Sequence, residues 1–247
     1  MLSELKKQFP QSLKYDWQWA AKHEMGPNAL WLTEFLTQAI ALNQDMKVLD
    51  LGCGKAISSI FMAKEFNVQV WAADLWITPT DNWKRVQAEA LEDRVFPVYA
   101  EAHSLPFAEG FFDVIISVDA YHYFGTDDAY LPYILKFLKP GGTLGIVAAG
   151  IRDEFNGDIP SSLKALWQPE MHTLHSPQWW RQHFAKTGLL NVTTCDCLPN
   201  GWAIWKFWEE YLTENGFMNP GRGNDLDLLN ADGGRYLCFP RIIGQKQ

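Results

Sequence analysis

Short apolar runs alternate with longer, partly polar segments along the first 150 residues. The runs cover residues 46–51, 68–73, 94–100, 112–118 and 143–149. Continuous apolar runs of this length are typical of strands buried on both faces of a sheet. Between and before them, the pattern predicts helices at 28–42, 55–66, 82–91 and 127–138, the last one ended by the Lys-Pro-Gly-Gly sequence that follows it.

Strand and helix alternate five times, which predicts a parallel sheet with helices on both faces. Right-handed crossovers then make the sheet doubly wound. Beyond residue 150, we expect a helix from Pro177 to residue 187, capped by Ser176, and final strands at 190–197 and 236–245. The predicted fold class is α/β: a doubly wound, mostly parallel, seven-stranded Rossmann-like sheet with an N-terminal helical lid.

The excess of acidic residues disfavours partners that are themselves strongly anionic. Acidic residues outnumber basic ones, 29 to 21, and the formal net charge is −8. A duplex-binding protein needs a basic face, and so does a protein that binds anionic membranes. We therefore expect neither a nucleic-acid nor a membrane partner. The N-terminus lacks an apolar signal segment, and the four cysteines show no disulfide spacing, so we expect a cytoplasmic protein.

A glycine turn and an acid stand at the ends of the first two predicted strands. Gly52 and Gly54 follow the first strand, and Asp74 ends the second. The turn allows close approach of a ligand to the backbone, and the acid can accept hydrogen bonds from ribose hydroxyls. Alternatively, the glycines form a simple tight turn and Asp74 caps a helix. The spacing within one strand–helix–strand unit favours a nucleoside ligand.

The kind of nucleoside follows from two further positions. A dinucleotide site would have a third glycine at position 57, where this chain has Ile57. Asp50 would repel a pyrophosphate but would suit an ammonium group. Adenosine with an amino-acid tail fits both observations, and S-adenosylmethionine is such a molecule.

Five segments in the same order resemble class I S-adenosylmethionine-dependent methyltransferases of the small-molecule type. They are VLDLGCGKA, AEAHSLPF, FFDVIISVDAYHYF, LKPGGTLGIV and HSPQWWRQHFAKTGLLNVTT, within residues 46–195. Three departures are Ala56, where the family often has a third glycine, Glu101, where Asp is commoner, and Tyr121-His122-Tyr123, where Leu-His-His is more usual. The resemblance implies a single methyltransferase domain over 1–247, with a lid at 1–45, a cofactor-binding core at 46–150 and substrate-side insertions and final strands at 151–247.

The resemblance also implies roles for individual residues. S-adenosylmethionine would be the cofactor, and a small molecule the methyl acceptor. Asp50 would place the ammonium group, Asp74 would hold the ribose, and Tyr15 would close over the cofactor from the lid. The remaining implied cofactor contacts are Gly52, Cys53, Gly54, Leu75, Trp76, Glu101, Ala102, Val118 and Asp119.

Catalytic candidates follow the fourth strand. His122 is the first candidate for a general base, because it lies where the crevice of such a sheet opens. Asp119 is an alternative base or a cofactor contact. Alternatively, His122 could be a structural residue whose ring bonds to a backbone carbonyl. For Tyr15, the alternative to a lid residue is an ordinary surface aromatic residue.

A tryptophan stripe and several sulfur atoms leave alternatives open. Trp202, Trp205 and Trp208 are three residues apart, which suits core packing or an aromatic pocket for a planar or cationic acceptor. Cys195 and Cys197 are expected to be buried apolar residues, and no metal site is predicted, since the histidine and cysteine spacing matches no common zinc pattern.

Two other functions compete with methyl transfer. A non-catalytic protein that binds S-adenosylmethionine or S-adenosylhomocysteine would carry the same motifs. A nucleotide-dependent oxidoreductase is less favoured because of Asp50 and Ile57. The acceptor should be decided by residues 151–175 and 198–235, which carry no recognisable motif.

Overall fold

The central sheet has seven strands, and its first five are parallel, as the apolar runs predict. The computed structural model describes residues 1–217 and 225–247. The sheet order is β3-β2-β1-β4-β5-β9-β7, and a separate pair joins β6 to β8. The strands are β1 (Lys47–Leu51), β2 (Gln69–Asp74), β3 (Val95–Tyr99), β4 (Phe112–Val118), β5 (Leu138–Val147), β6 (Gly150–Ile151), β7 (Leu190–Cys197), β8 (Leu237–Cys238) and β9 (Pro240–Lys246).

Helices pack on both faces of this sheet. In the described part of the chain they are α1 (Leu2–Gln8), α2 (Trp17–Lys22), α3 (Ala29–Thr37), α4 (Ile57–Phe66), α5 (Pro79–Ala88), α6 (Tyr130–Ile134), α7 (Pro177–Ala185), α8 (Gly201–Glu214) and α9 (Asp225–Asp232). Val48 and Leu49, neighbours on β1, belong to two separate hydrophobic clusters. Alternate strand residues point to opposite faces, so the sheet is buried on both sides. The predicted α/β fold, with helices before the first strand, is confirmed.

Several predicted elements differ from the structure in their bounds, and the helix predicted at 28–42 already ends at Thr37. The helix predicted at 127–138 is the shorter α6 followed by a 3₁₀ turn, and β5 already begins at Leu138, so the Lys-Pro-Gly-Gly sequence lies inside a strand rather than before it. The helix predicted at 82–91 begins earlier, because the Thr78 hydroxyl accepts a hydrogen bond from the Asp81 amide and Pro79 occupies the first turn. The final predicted strand is divided into β8 and β9.

The regions expected to select the acceptor are partly described. Residues 151–175 contain β6 and a 3₁₀ turn at Pro169–Thr173. In the second region, 198–235, residues 218–224 lie outside the described residues. The Ser176 hydroxyl caps α7 as predicted, accepting a hydrogen bond from the Trp179 amide at 3.2 Å. No described helix is long and apolar enough to cross a membrane.

Candidate functional site

A cavity of about 350 Å³ opens where the carboxyl ends of β1, β2 and β4 meet. Ligands bind in this crevice in open α/β sheets. We call it the glycine-turn cavity. Ten of the residues implied by the motifs line it: Gly52, Cys53, Gly54, Asp74, Leu75, Trp76, Glu101, Ala102, Val118 and Asp119.

The turn after β1 requires its glycines. Gly52 has a φ of +74°, and a β-carbon there would lie 2.4 Å from the β-carbon of Ala120. Gly54 has a φ of +51°, and a β-carbon there would lie 2.8 Å from Met25 Sδ. L side chains rarely adopt this backbone region, and these contacts leave no room for them. The missing side chains form the cradle against which a ligand can approach the backbone.

Ala56, the third residue of the turn with a positive φ, is not a glycine. Its φ is +62°, and it is fully buried at the start of α4. Left-handed backbone at a residue with a side chain is unfavourable by roughly 1–2 kcal/mol. This explains why a glycine is common at this position in the sequences that the turn resembles, and the chain tolerates alanine through the packing around it.

Asp74 connects the end of β2 to the glycine turn. Its Oδ2 accepts a hydrogen bond from the Gly54 amide at 2.8 Å, and its Oδ1 accepts hydrogen bonds from the amides of Trp76 and Ile77 at 2.7 and 2.9 Å. The residue is only 8% exposed, yet it lines the cavity. These three bonds fix a carboxylate at the cavity wall, next to the backbone of the turn.

Asp50 lies behind the turn and does not line the glycine-turn cavity, so its expected role in placing the ammonium group of a ligand stays a prediction. It is fully buried, and its Oδ2 accepts hydrogen bonds from the hydroxyls of Ser58 and Ser59 at 2.5 and 2.6 Å. Desolvation raises its pKa to about 6, against the opposing effect of the two hydroxyls. Asp50 therefore links β1 to α4 by hydrogen bonds and so stabilises the turn between them.

Tyr15 does not line the glycine-turn cavity, and its expected closure over the cofactor stays a prediction. Its hydroxyl donates a hydrogen bond to Glu65 at 3.1 Å, and its ring packs against Phe61 on α4. Burial and the nearby carboxylate of Glu65 raise its pKa. The N-terminal residue that covers the glycine turn is instead Met25.

The segment between α2 and α3 forms the roof of the cavity. His23, Met25, Gly26, Pro27 and Ala29 line it. The lid predicted at residues 1–45 includes this segment, but none of these five residues was predicted as a site residue. The available signal was the Gly26-Pro27 pair, which marks a turn between two helical segments.

Glu101 and Trp76 occupy the rim of the cavity. The carboxylate of Glu101 accepts a hydrogen bond from the His103 amide at 2.9 Å and lies 2.8 Å from His103 Nδ1, and the hydrogen bond with that side chain lowers the pKa of Glu101. Trp76 is 71% exposed, and its ring centroid lies 6.1 Å from that of Tyr123. Both residues thus line the mouth, where the Trp76 side chain lies largely in solvent and the Glu101 side chain is half-buried.

A second cavity of about 310 Å³ adjoins the first, and we call it the His122 cavity. The two share a wall made by Met25, Gly26, Pro27, Asp119 and Tyr123. His122, which is 3% exposed, lines only the second cavity. Burial lowers its pKa to about 4, so the imidazole is neutral near pH 7.

The tryptophan stripe of α8 packs in the core, and one of its rings also lines a cavity. Trp208 is buried and stacks on Tyr211, with ring centroids 5.4 Å apart. Trp202 donates a hydrogen bond from Nε1 to the carbonyl of Leu229 on α9. Trp205 lines the His122 cavity. The stripe is therefore mainly core packing, with one ring at a cavity wall.

Cys195 and Cys197 on β7 were predicted to be buried, but the structure has both half-buried, because β7 is at the edge of the sheet. The Cys195 thiol donates to the Pro177 carbonyl at 3.0 Å, and Cys197 Sγ lies 3.1 Å from Cys238 Sγ. Within residues 1–217 and 225–247, no group of three or more His, Cys, Asp or Glu residues is arranged to hold a metal ion.

Part of the chain is similar in sequence to known methyltransferases. Residues 48–142 match the model of a methyltransferase domain. Methyltransferase GfsG from Streptomyces halstedii is 30% identical over 122 residues, which are 49% of this chain and 44% of that protein. The 2-methyl-6-phytyl-1,4-hydroquinone methyltransferase of Synechocystis is 26% identical over 188 residues, 70% of this chain and 57% of that protein. The chain thus spans about half the length of these curated relatives.

The fold is also found in a longer chain of known structure. The structure of phosphoethanolamine N-methyltransferase 2 from Haemonchus contortus, in complex with S-adenosyl-L-methionine, superposes with a TM-score of 0.75. The match covers 98% of this chain and 59% of that one, at 18% identity. At this identity the likeness establishes the fold alone.

Proposed function

Because the chain carries a methyltransferase domain of the class I S-adenosylmethionine-dependent family, we propose that it transfers a methyl group from S-adenosylmethionine to a small-molecule acceptor. The observation that carries this proposal is the joint placement of the glycine cradle and the Asp74 carboxylate on one cavity wall. Neither a simple turn nor a helix cap requires a cavity above both.

The lining residues fit an adenosine with an amino-acid tail. Gly52, Cys53 and Gly54 would meet the methionine part and the ribose through backbone groups, and Asp74 would accept hydrogen bonds from the ribose hydroxyls. Leu75 and Trp76 would pack on the adenine, and Glu101 and Ala102 would meet its edge. Val118 and Asp119 would border the sulfonium. When bound, the cofactor supplies a methyl group already activated by the sulfonium.

The contribution of the protein is to hold an acceptor in line and to exclude water. The shared wall of the two cavities includes Asp119 at the end of β4 and the Met25–Pro27 roof. An acceptor in the His122 cavity would therefore face a cofactor in the glycine-turn cavity, with its nucleophilic atom at the shared wall. His122 is neutral near pH 7 and would take a proton from the acceptor as the new bond forms.

Calorimetric binding of S-adenosylmethionine and S-adenosylhomocysteine tests the proposal. We expect saturable binding of both, weakened at least roughly tenfold in Asp74→Ala, because the ribose loses a charged acceptor worth about 1.5–3 kcal/mol. Asp93→Ala is the matched control, since the Asp93 side chain is 80% exposed and far along the chain from the turn.

Three results would contradict the proposal. Absence of binding to the wild-type protein would mean that S-adenosylmethionine is not the cofactor. Binding that is as tight in Asp74→Ala as in Asp93→Ala would mean that the cofactor does not bind at Asp74. Binding without transfer to any acceptor in a screen of amines, phenols and carboxylates would favour a non-catalytic binding protein.

A further inference from the structure

The backbone amides of the glycine turn are already engaged within the protein. The amides of Gly52 and Cys53 both donate to the Ala73 carbonyl, at 2.9 and 3.1 Å. The Gly54 amide donates to the Asp74 carboxylate. Backbone N–H groups of a turn often hold a ligand anion, but these three donors have partners. The carboxylate at the end of an S-adenosylmethionine tail therefore needs a donor from elsewhere in the cavity wall.

Lys55, the next residue of the turn, carries the charge that such a carboxylate requires. It is half-buried and lines the glycine-turn cavity, and no other Lys or Arg among residues 1–217 and 225–247 does so. Two histidines also line this cavity. Burial lowers the pKa of His23, so its imidazole is neutral near pH 7. His103 lies at the rim, where its ring is bonded to a carboxylate. Among the described lining residues, Lys55 is therefore the cation best placed for an anionic group at the turn.

The roof sets the position of the Lys55 side chain. Its Nζ donates a hydrogen bond to the Glu24 carbonyl at 3.1 Å. Glu24 lies between His23 and Met25, which both line the cavity. An ammonium group carries three N–H donors, and this bond uses one of them. Lys55 thus keeps donors for a ligand at the place where the turn meets the roof.

We propose that Lys55 binds the carboxylate of the amino-acid tail of S-adenosylmethionine, while its bond to the Glu24 carbonyl holds the roof over that tail. This inference rests on the proposed function and names the residue that recognises the charged end of the cofactor. A hydrogen bond between an ammonium group and a carboxylate is roughly twice as strong as a neutral one, so removal of either charge should be measurable. Bound cofactor would then connect the turn after β1 to the segment between α2 and α3.

Two ligands that differ in one group isolate this contact. S-adenosylhomocysteine carries the carboxylate. Its decarboxylated form keeps the adenosine, the sulfur and the ammonium group but lacks the carboxylate. Calorimetry on the wild-type protein measures the affinity for each. We expect S-adenosylhomocysteine to bind about tenfold or more tightly, because only this ligand can form the charge-assisted bond to Lys55.

Variants at Lys55 locate the effect. Lys55→Met keeps much of the length of the side chain and removes its charge. We expect it to weaken S-adenosylhomocysteine binding about tenfold and to leave binding of the decarboxylated ligand nearly unchanged. Lys55→Arg keeps a cation and should retain most of the preference for the carboxylate. Lys84→Met is the matched control, since the Lys84 side chain is 69% exposed and lines neither cavity.

Hydrogen exchange tests the link between the tail and the roof. Amide exchange in residues 23–29 should slow when S-adenosylhomocysteine saturates the wild-type protein, and should slow much less when the decarboxylated ligand does. This difference should disappear in Lys55→Met. Equal slowing by the two ligands in the wild-type protein would overturn the link to the roof.

The outcomes separate this inference from the proposed function. Equal affinity of the wild-type protein for the two ligands, or an unchanged preference in Lys55→Met, would overturn the role of Lys55 alone. An equal loss of both ligands in that variant would do the same, because it would mean that Lys55 only stabilises the turn. Failure of the wild-type protein to bind either ligand would overturn the proposed function itself.

Discussion

Gly26 lies directly against Asp119, so close that a β-carbon on Gly26 would stand 2.9 Å from Asp119 Oδ2. The two residues come from the roof segment and from the end of β4, and both line both cavities. Asp119 also has a φ of +52°, and its Oδ1 accepts a hydrogen bond from the Ala149 amide at 2.9 Å. This contact sets the wall between the proposed cofactor and acceptor sites.

The first prediction concerns this contact. Gly26→Ala should weaken S-adenosylhomocysteine binding several-fold, because the new methyl group forces either the roof or the Asp119 carboxylate to shift. In Asp119→Ala, the same substitution should weaken S-adenosylhomocysteine binding much less, since the carboxylate that the new methyl group would contact is absent. Calorimetry on the wild type, both single variants and the double variant measures the coupling. Additive losses would mean that the roof is not set by this contact.

The second prediction concerns Asp50 and pH. Burial raises its pKa from 3.8 to about 6, so the folded chain holds a proton that the unfolded chain releases between these values. The free energy of unfolding should therefore fall as pH rises from about 4 to 6, by up to about 3 kcal/mol from this group. Asp50→Asn keeps an acceptor for Ser58 and Ser59 and removes this dependence. Denaturant titrations at several pH values compare the two proteins.

Asp113 provides a control of opposite sign. Partial desolvation raises its pKa, but hydrogen bonds from the Lys139 side chain and the Lys47 amide outweigh this and lower the pKa overall. Its stabilisation is therefore lost as pH falls, so the difference between wild type and Asp113→Asn should shrink toward acid pH. If Asp50→Asn and Asp113→Asn shifted the pH profile in the same direction, the assignment for Asp50 would be wrong.

The third prediction concerns His122 as a base. His122→Asn should lower kcat by roughly a hundredfold or more and leave S-adenosylhomocysteine affinity nearly unchanged, since the side chain lines only the His122 cavity. With its pKa near 4, His122 stays neutral above about pH 5 and should not add an acid limb near pH 6.5 to the rate profile. Steady-state rates across pH 5–9 test both points once an acceptor is known. His172→Asn is the control, because His172 is exposed and lines neither cavity; equal losses in both variants would exclude the base role.

The fourth prediction concerns the thiols of Cys197 and Cys238. Their sulfur atoms lie 3.1 Å apart, and the hydrogen bond between the two side chains lowers the pKa of Cys197. Diamide should therefore join this pair, taking two hydrogens from the thiols as the disulfide of about 2.05 Å forms. Peptide mass spectrometry and a fall in free thiols from four to two would report it. Cys195 is the internal control, and a product containing Cys195, or reaction persisting in Cys197→Ser, would contradict the prediction.

Local pattern determined much of the fold and part of the site. Continuous apolar runs located β1 to β5 because strands covered on both faces tolerate few polar residues. Gly52, Gly54 and Asp74 were found because a turn with positive φ and an acid at a strand end follow from residue type and spacing alone. The predicted ends of elements were wrong where strand pairing outweighs the local preference of the residues. At Leu138, for example, pairing with Phe112 makes β5 begin before the two glycines, which the sequence pattern places in a turn.

The direction of side chains and the meeting of distant segments were decided only by the tertiary structure. Asp50 occupies the position that its motif suggested, yet Ser58 and Ser59 on α4 hold it beneath the turn. Tyr15 turns to Glu65, and Met25 covers Gly54 instead. The sequence determined where the chain must bend and what it must bury, because these depend on neighbouring residues. Which groups face the cavities depends on helices and loops far apart in the chain, and those contacts form only once the sheet has brought them together.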